Sequence, residues 1–385
     1  DCGGLPLVGE SWIKDGYKTF LQMLETLRKI DWWMMLAVGY LMTVSVLMLR
    51  SLPGEETVSY VTKQAVWIGI GLIVMLALSF LDWRTLFENQ IFIVSFYLIS
   101  VASVIGVLFF GSQVRGASAW YELGGFSVQP SEIAKLSLIL ILARYFSRRH
   151  SDIWLVGYSA VPLLYVLGVM IPVFLQPDFG SVAVLFGVFA SLIFFLGLRP
   201  KHVLIGITVF CMVLIVAWFG LLRPYQKERI FTFINPYRDP LGAGYNALQA
   251  KVAIGSSGLW GKGLGQGTQT QLRLLPEART DFIFAAYTEE FGLIGALLLF
   301  GAYGIMFIRL SSITDHAINN FSRIFTLAFL LKLWIEMTIN IGGNIGLLPI
   351  TGIALPFVSY GGSNLIVNCI ALGIVQSIFI RSRVA

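Results

Sequence analysis

The sequence predicts an all-α polytopic membrane protein of about ten transmembrane helices, with one long loop between the seventh and eighth. Three observations carry this. Of 385 residues, 57% are hydrophobic and only 12% charged, where a soluble domain has about half and a quarter. Mean hydropathy is +0.79, too high for one soluble core and too evenly spread for a single anchor. Apolar runs long enough to cross the roughly 30 Å of bilayer hydrocarbon recur along the whole chain. The aromatic share of 14% suits rings placed at both membrane interfaces.

Residues 1–30 contain "ESWIKDGYKTFLQMLETLRKI", which reads as an amphipathic surface helix. The stretch has no apolar core with a cleavage site, so it is not a signal peptide. It is a natural extension, an expression scar or part of a fusion, and no function is assigned to it. Residues 31–385 form the membrane domain. Its spans fall at 32–49, 65–81, 91–110, 132–146, 153–175, 181–198, 203–222, 281–308, 324–345 and 364–380. The fourth and tenth are short.

Positive charge sets the orientation. The connections "SRRH" (147–150) and "RPKH" (199–202), Arg309, Arg323 and the tail "RSR" (381–383) fall on one side, with Lys14, Lys18, Arg28 and Lys29. Both termini are therefore expected in the cytoplasm, and residues 223–280 outside. This accounts for the net charge of +6 without invoking nucleic acid. Cys2, Cys211 and Cys369 show no disulfide framework, and His150, His202 and His316 show no zinc spacing.

The long loop carries Arg223, Lys227, Arg229, Arg238, Lys251, Lys262, Arg273 and Arg279. Long loops are usually functional, and this charge suits an anionic ligand on the outer face. "GKGLGQG" (261–267) lacks the βαβ context of a dinucleotide loop and reads as glycine turns that touch membrane or ligand. "SYGGS" (359–363) is neither a nucleophile elbow nor a phosphate loop; its glycines allow tight turns before the last span.

Three stretches hold polar groups at span ends. In "FSVQPSEIAKLSL" (126–138), Ser131 is placed to cap the fourth span, and Glu132 and Lys135 are i,i+3 neighbours. They form either a structural ion pair at the interface or a pair lining a polar cavity. In "LQPDFGS" (175–181), Asp178 is an ordinary turn aspartate or, with Gln176, part of an outer site. In "LLPEARTDFIFAAYTEEFGLIG" (274–295), Pro276 ends the loop and Thr280 is placed to cap the eighth span. Asp281 then lies in the first turn, where the helix dipole keeps a carboxylate ionised. It either stabilises the helix start or serves as a proton acceptor. Glu289 and Glu290 lie roughly 12 Å deeper along a straight helix. They must face protein, water or a cation rather than lipid.

Several of these stretches, taken in order, resemble the SEDS family of bacterial cell-wall polymerases. They are "GASAWYELGGFSVQPSEIAK", "LQPDFGS", "NPYRDPLGAGYNALQAKVAIGSSGLWGKGLGQGTQ", "LLPEARTDFIFAAYTEEFG" and "NIGLLPITGIALPFVSYGGSNL". The similarity covers roughly residues 32–383. "GTQTQLRLLPEARTDF" looks more like the elongation branch, RodA, than the division branch, FtsW. Asn246 stands where many members have Gln.

The resemblance implies a ten-span glycosyltransferase related to GT-C membrane enzymes, working in the bacterial inner membrane during cell elongation and shape maintenance. Its substrate would be lipid II, an undecaprenyl-diphosphate-linked disaccharide pentapeptide, polymerised on the outer leaflet. Its partners would be a class B penicillin-binding protein and elongation-machinery proteins such as MreC and MreD. Asp281 matches the family's essential loop aspartate, and Glu132 and Lys135 its intramembrane ion pair. Asp281 is then the expected general base. Arg229, Lys251, Arg273 and Arg279 are expected to compensate the leaving diphosphate, with Glu277 shaping the site and Trp120 a further outer-face candidate. A Mg²⁺ or Mn²⁺ requirement fits such chemistry, though no ligand set is legible, and no organic cofactor is expected. A lipid II flippase, a division polymerase and a scaffold that only recruits the penicillin-binding protein are the competing readings.

Overall fold

The computed structural model describes residues 28–54, 57–84, 89–114, 117–123, 126–148, 156–197 and 242–382, with 208, 231, 233 and 235. Residues 1–27, the expected seventh span apart from residue 208, and Arg223, Lys227, Arg229 and Arg238 lie outside the described residues.

The other nine expected spans are helices. They are α1 (Trp32–Ser51), α2 (Thr57–Phe80), α3 (Gln90–Phe110), α4 (Pro130–Ser147), α5 (Val156–Leu175), α6 (Phe179–Phe195), α9 (Ile283–Asp315), α10 (Asn320–Ile345) and α11 (Gly362–Ser382). Six of them, α1 to α3 and α9 to α11, are long and apolar enough to cross a membrane. Two more helices, α7 (Ala243–Gly255) and α8 (Thr268–Gln271), lie within the loop that the sequence left without structure. Three short antiparallel strands, β1 (Ser112–Val114), β2 (Ala117–Leu123) and β3 (Phe126–Val128), join α3 to α4 in the order β1-β2-β3. Among the described residues the membrane-length segments are all helical, as the backbone of a membrane-spanning segment must satisfy itself internally.

The most apolar window of α11 is 83% buried and that of α2 only 17%. So α11 runs through the middle of the bundle, and α2, packed along it, turns its other face outward. Helix α9 lies against α1 and α10, and α10 also meets α4 and α6. Exposed Leu293, Leu297, Leu298, Phe300 and Ile308 line the outer face of α9, as a lipid-facing helix requires.

Charges bind the centre of the bundle. Lys135 of α4 pairs with Glu132 at 2.8 Å and with Glu336 of α10 at 3.2 Å. Glu336 pairs in turn with Lys332 at 2.9 Å. Lys332 donates to Asn368 of α11 at 2.5 Å, Asn368 to Asn364 at 2.9 Å, and Asn364 back to Glu132 at 3.0 Å. Two carboxylates, two ammonium groups and two amides thus close a ring across three helices. Asn364 is the most exposed of the six, at 7%. Each charge would be costly alone; balanced and hydrogen-bonded, the group is tolerated.

The ends of the bundle are distinct. Asp31, before α1, caps it by accepting from Met34 N at 3.2 Å, pairs with Arg309 at 2.7 Å, and donates its own N–H to Gln376 at 3.1 Å. Arg381 pairs with Asp82 at 3.3 Å. At the other end of α1, Ser51 hydrogen-bonds Glu290, near the start of α9. Arg309 and Arg381 therefore lie at the end away from Asp281.

Helix α9 is not continuous. Gly292 has φ 69° and ψ −166°, which breaks it into a short leading helix and a long span. A break leaves carbonyls and N–H groups without helical partners. The loop at 258–263 supplies them: Lys262 N donates to Glu289 O and Gly263 N to Glu290 O, both at 3.0 Å. In return, Leu293 N donates to Gly258 O and Ile294 N to Leu259 O, both at 3.1 Å. Gly261 has φ 79°, and a Cβ there would run into the Glu290 carbonyl. The glycines of "GKGLGQG" are thus a docking element for the broken helix. The straight-helix depth expected for Glu289 and Glu290 does not apply.

Two expected caps are also replaced. Gln129 is the N-cap of α4, with no side-chain bond and Pro130 at the first position, so Ser131 is not the cap. Phe282 is the N-cap of α9, and Thr280 Oγ1 instead donates back to the Glu277 carbonyl at 3.4 Å.

Lys332→Met leaves Glu336 short of a counter-charge in the bundle centre. It should lower stability by about 3–5 kcal/mol, and adding Glu336→Gln should recover most of the loss. Thermal melts of the purified protein in detergent check both.

Candidate functional site

The site is built on the turn at residues 279–281. Its three successive carbonyls are each held. Tyr360 N donates to Arg279 O at 2.9 Å. Ser359 Oγ donates to Thr280 O at 2.6 Å. Asn344 and Asn340 Nδ2 donate to Asp281 O at 2.8 and 3.1 Å. Asn344 Oδ1 also accepts from Ala285 N at 3.2 Å, which ties α10 to the first turn of α9. Asn340 bonds Ile353 O at 2.8 Å. Asp281 is thus fixed through its backbone, and its carboxylate faces a cavity of about 520 Å³.

That cavity is lined by Asp281, Glu277, Glu132, Asp178, Lys251 and Asn364, among others. Asn246, the departure from the family pattern, lines it from α7. Asp178 has two structural contacts and lines this cavity. It caps α6 by accepting from Ser181 N at 3.0 Å, and it accepts from Gln129 Nε2 at 3.3 Å on the cavity side. Gln176 belongs elsewhere: it is 1% exposed, donates to Val104 O at 2.6 Å, and lines neither cavity described here. It locks α5 to α3 because a buried amide must find a partner.

A second cavity of about 1050 Å³ adjoins the first. Lys63, Arg273, Arg279, Glu122, Tyr60 and Trp67 line it. The two share Trp120, Pro276, Glu277, Thr280, Tyr360 and Gly361. Glu277 holds a left-handed φ of 55°, a strained backbone for a residue with a Cβ. Burial, and then the Tyr60 phenol, raise the pKa of Tyr360, so its hydroxyl stays protonated at this shared wall.

The expected cluster of cations is divided. Lys251 lies on the first cavity; Arg273 and Arg279 lie on the second. Arg279 stacks over Tyr60, 4.2 Å from the ring centroid, and donates to Pro53 O at 3.3 Å. Arg229 is outside the described residues. Glu289 and Glu290 are not on either cavity. Glu289 pairs with Lys262 at 2.8 Å and accepts from Gln269 N at 2.9 Å and Thr270 N at 3.2 Å. It holds the loop that docks onto the break in α9. Among the described residues no group of three or more His, Cys, Asp or Glu side chains is gathered to hold a metal ion.

A helical membrane bundle with a carboxylate and several cations around paired cavities at one end defines a membrane-embedded, polar-substrate protein. The chain belongs to the FtsW/RodA/SpoVE family, described as "Cell cycle protein", whose pattern it matches over residues 26–383. It is 36% identical over 351 residues to the peptidoglycan glycosyltransferase MrdB of Escherichia coli K12, covering 91% of this chain and 93% of that one. It is 35% identical over 358 residues to the probable peptidoglycan glycosyltransferase FtsW of Coxiella burnetii, covering 89% and 93%. Its fold matches a chain in a structure described as "Structural coordination of polymerization and crosslinking by a peptidoglycan synthase complex". The TM-score is 0.79 at 30% identity, over 92% of this chain and 98% of that one.

Asn344→Ala removes the shorter of the two amide bonds to the Asp281 carbonyl and the tie to the first turn of α9, while leaving the cavity charges in place. The kcat for glycan synthesis should fall at least tenfold with KM changed less than about threefold, because a small misplacement of a catalytic group is costly. Steady-state kinetics on purified protein check the split.

Proposed function

We propose that this chain is a peptidoglycan glycosyltransferase that polymerises lipid II into β-1,4 glycan during cell elongation, with Asp281 as the general base. The observation that carries the reading is the fixed 279–281 turn, which presents one carboxylate to a cavity that adjoins a cationic one. In the reaction, the C4 hydroxyl of the acceptor sugar attacks the anomeric carbon of the donor. Asp281 takes the hydroxyl proton as the C–O bond forms. The bond from the anomeric carbon to the phosphate breaks, and undecaprenyl diphosphate leaves with the electron pair. The α-linked donor becomes a β-linked product, an inversion that suits one base and a single displacement.

Arg273 and Arg279, which line the second cavity, compensate charge on the leaving diphosphate. A Mg²⁺ or Mn²⁺ would be held by Glu277, on the wall that the two cavities share. Bound there, it would add Lewis-acid stabilisation of the diphosphate.

The site faces the outside of the cell membrane, and both termini are cytoplasmic. Arg309 and Arg381, at the end away from Asp281, support this by the positive-inside rule. A class B penicillin-binding protein crosslinks the product, and MreC and MreD are further partners. The elongation role rests on "GTQTQLRLLPEARTDF"; the 36% and 35% identities to MrdB and FtsW separate the branches little. The buried charged ring is the feature a flippase would use. Its members bond one another across α4, α10 and α11, as a structural clamp does, and of the six only Glu132 and Asn364 line either cavity, the one that Asp281 lines.

Purified protein given labelled lipid II in detergent, where there are no leaflets, should make polymer resolved on a gel. Asp281→Ala should lower the rate by about 10² or more. Polymerisation by the variant at the parental rate would remove Asp281 from the mechanism, and a parent that makes no polymer would favour transport.

A further inference from the structure

We infer that the two adjoining cavities divide the substrates. The first takes the acceptor saccharide, and the second takes the diphosphate of the lipid-linked donor. The inference rests on the polymerase reading and assigns its two substrates to places.

The partition of charge points to it. Among the described residues, the first cavity is lined by four carboxylates, Glu132, Asp178, Glu277 and Asp281, and one cation, Lys251. A diphosphate would be repelled there, while the hydroxyls of an uncharged sugar find acceptors. The second is lined by three cations, Lys63, Arg273 and Arg279, and two carboxylates, Glu122 and Glu277. The arginines converge: a Cβ added to Gly54 would lie 2.9 Å from a guanidinium nitrogen of Arg279 and 3.8 Å from one of Arg273. Gly54 has φ 147°, so bare backbone is retained where the two cations meet. Two guanidinium groups around one point suit an anion with several oxygens. Tyr60 holds Arg279 from behind. Among the described residues Arg273 has no carboxylate partner.

The chemistry requires the same division. The base must touch the acceptor hydroxyl, and Asp281 lines only the first cavity. The leaving group must meet positive charge, and the paired arginines line only the second. The reacting carbon then lies at the shared wall of Glu277, Thr280, Tyr360 and Trp120. The new bond joins the acceptor O4 to the donor C1. The C1–O(phosphate) bond breaks towards the second cavity, and the proton passes to Asp281 in the first.

Two probes separate the sites. A lipid II analogue lacking the 4-hydroxyl on its terminal sugar can donate but cannot accept. The disaccharide pentapeptide carrying a methyl glycoside in place of the lipid diphosphate can accept but cannot donate. Binding of each to purified protein is measured for the parent, Arg273→Ala, Lys63→Ala and Lys251→Ala. Arg279→Lys, which keeps the charge and loses the fork, is a milder variant should truncation at the other positions harm folding. Arg273→Ala and Lys63→Ala should each weaken the donor-only probe by roughly tenfold and the acceptor-only probe by less than about twofold. Lys251→Ala should change donor-only binding less than about twofold. Equal weakening of both probes, weakening of the acceptor-only probe alone, or unchanged donor-only binding would overturn the assignment. Failure of the polymerase reading itself is visible separately, as a parent protein that makes no glycan from lipid II.

Discussion

The ring of Glu132, Lys135, Glu336, Lys332, Asn368 and Asn364 is the interaction on which the site depends. It joins α4, α10 and α11 through side chains that are all buried. Two of its members, Glu132 and Asn364, also line the first cavity. A third, Glu336, lies one helical turn before Asn340, whose amide holds the Asp281 carbonyl. The wall of the cavity and the anchor of Asp281 are therefore set by one buried network. Such a network is a poor source of net stability, but a half-made one is strongly unfavourable. It ties the three helices to a single arrangement, because sliding any of them would strand a charge.

Above the ring, the structure spends its backbone hydrogen bonds on rigidity. The carbonyls of 279–281 are taken by Tyr360, Ser359, Asn344 and Asn340. Just beyond, the break at Gly292 lets a short helix carry residues 283–291 at an angle to the span, and the 258–263 loop closes the break. Glu289, tied to Lys262 and to the N–H groups of residues 269 and 270, fastens that loop. The carboxylates that look misplaced in an apolar run are thus of two kinds. Asp281 faces the cavity, and Glu289 and Glu290 hold the surrounding backbone.

The spans were legible because hydrophobic length is a local property. Those at 32–49 and 91–110 match α1 and α3 within two residues at each end. Helix α7 was not legible: "AGYNALQAKVAIG" is short and rich in Ala and Gly, and its helical state depends on packing against α9 and α10. Half of the ring's four charges could be read from Glu132 and Lys135. The other half left a signal in Lys332 and Glu336, four residues apart within an apolar run, and was missed because only contact between helices gives these charges a meaning. The docking of Gly261 against the Gly292 break joins backbone distant in sequence, and no side-chain pattern announces it. The loop cations read as one basic patch because sequence orders them along the chain. Folding places Lys251 on one cavity and Arg273 and Arg279 on another.

The central claim is that position, set by the fixed 279–281 turn, matters as much as the charge of Asp281. Glycan synthesis by purified Asp281→Glu tests it most directly, since the charge is kept and the carboxylate is moved by one methylene. A loss of about 100-fold in kcat, with the melting temperature unchanged, is the predicted result. Polymerisation at the parental rate would contradict the account and leave Asp281 as a charge that needs no fixed place.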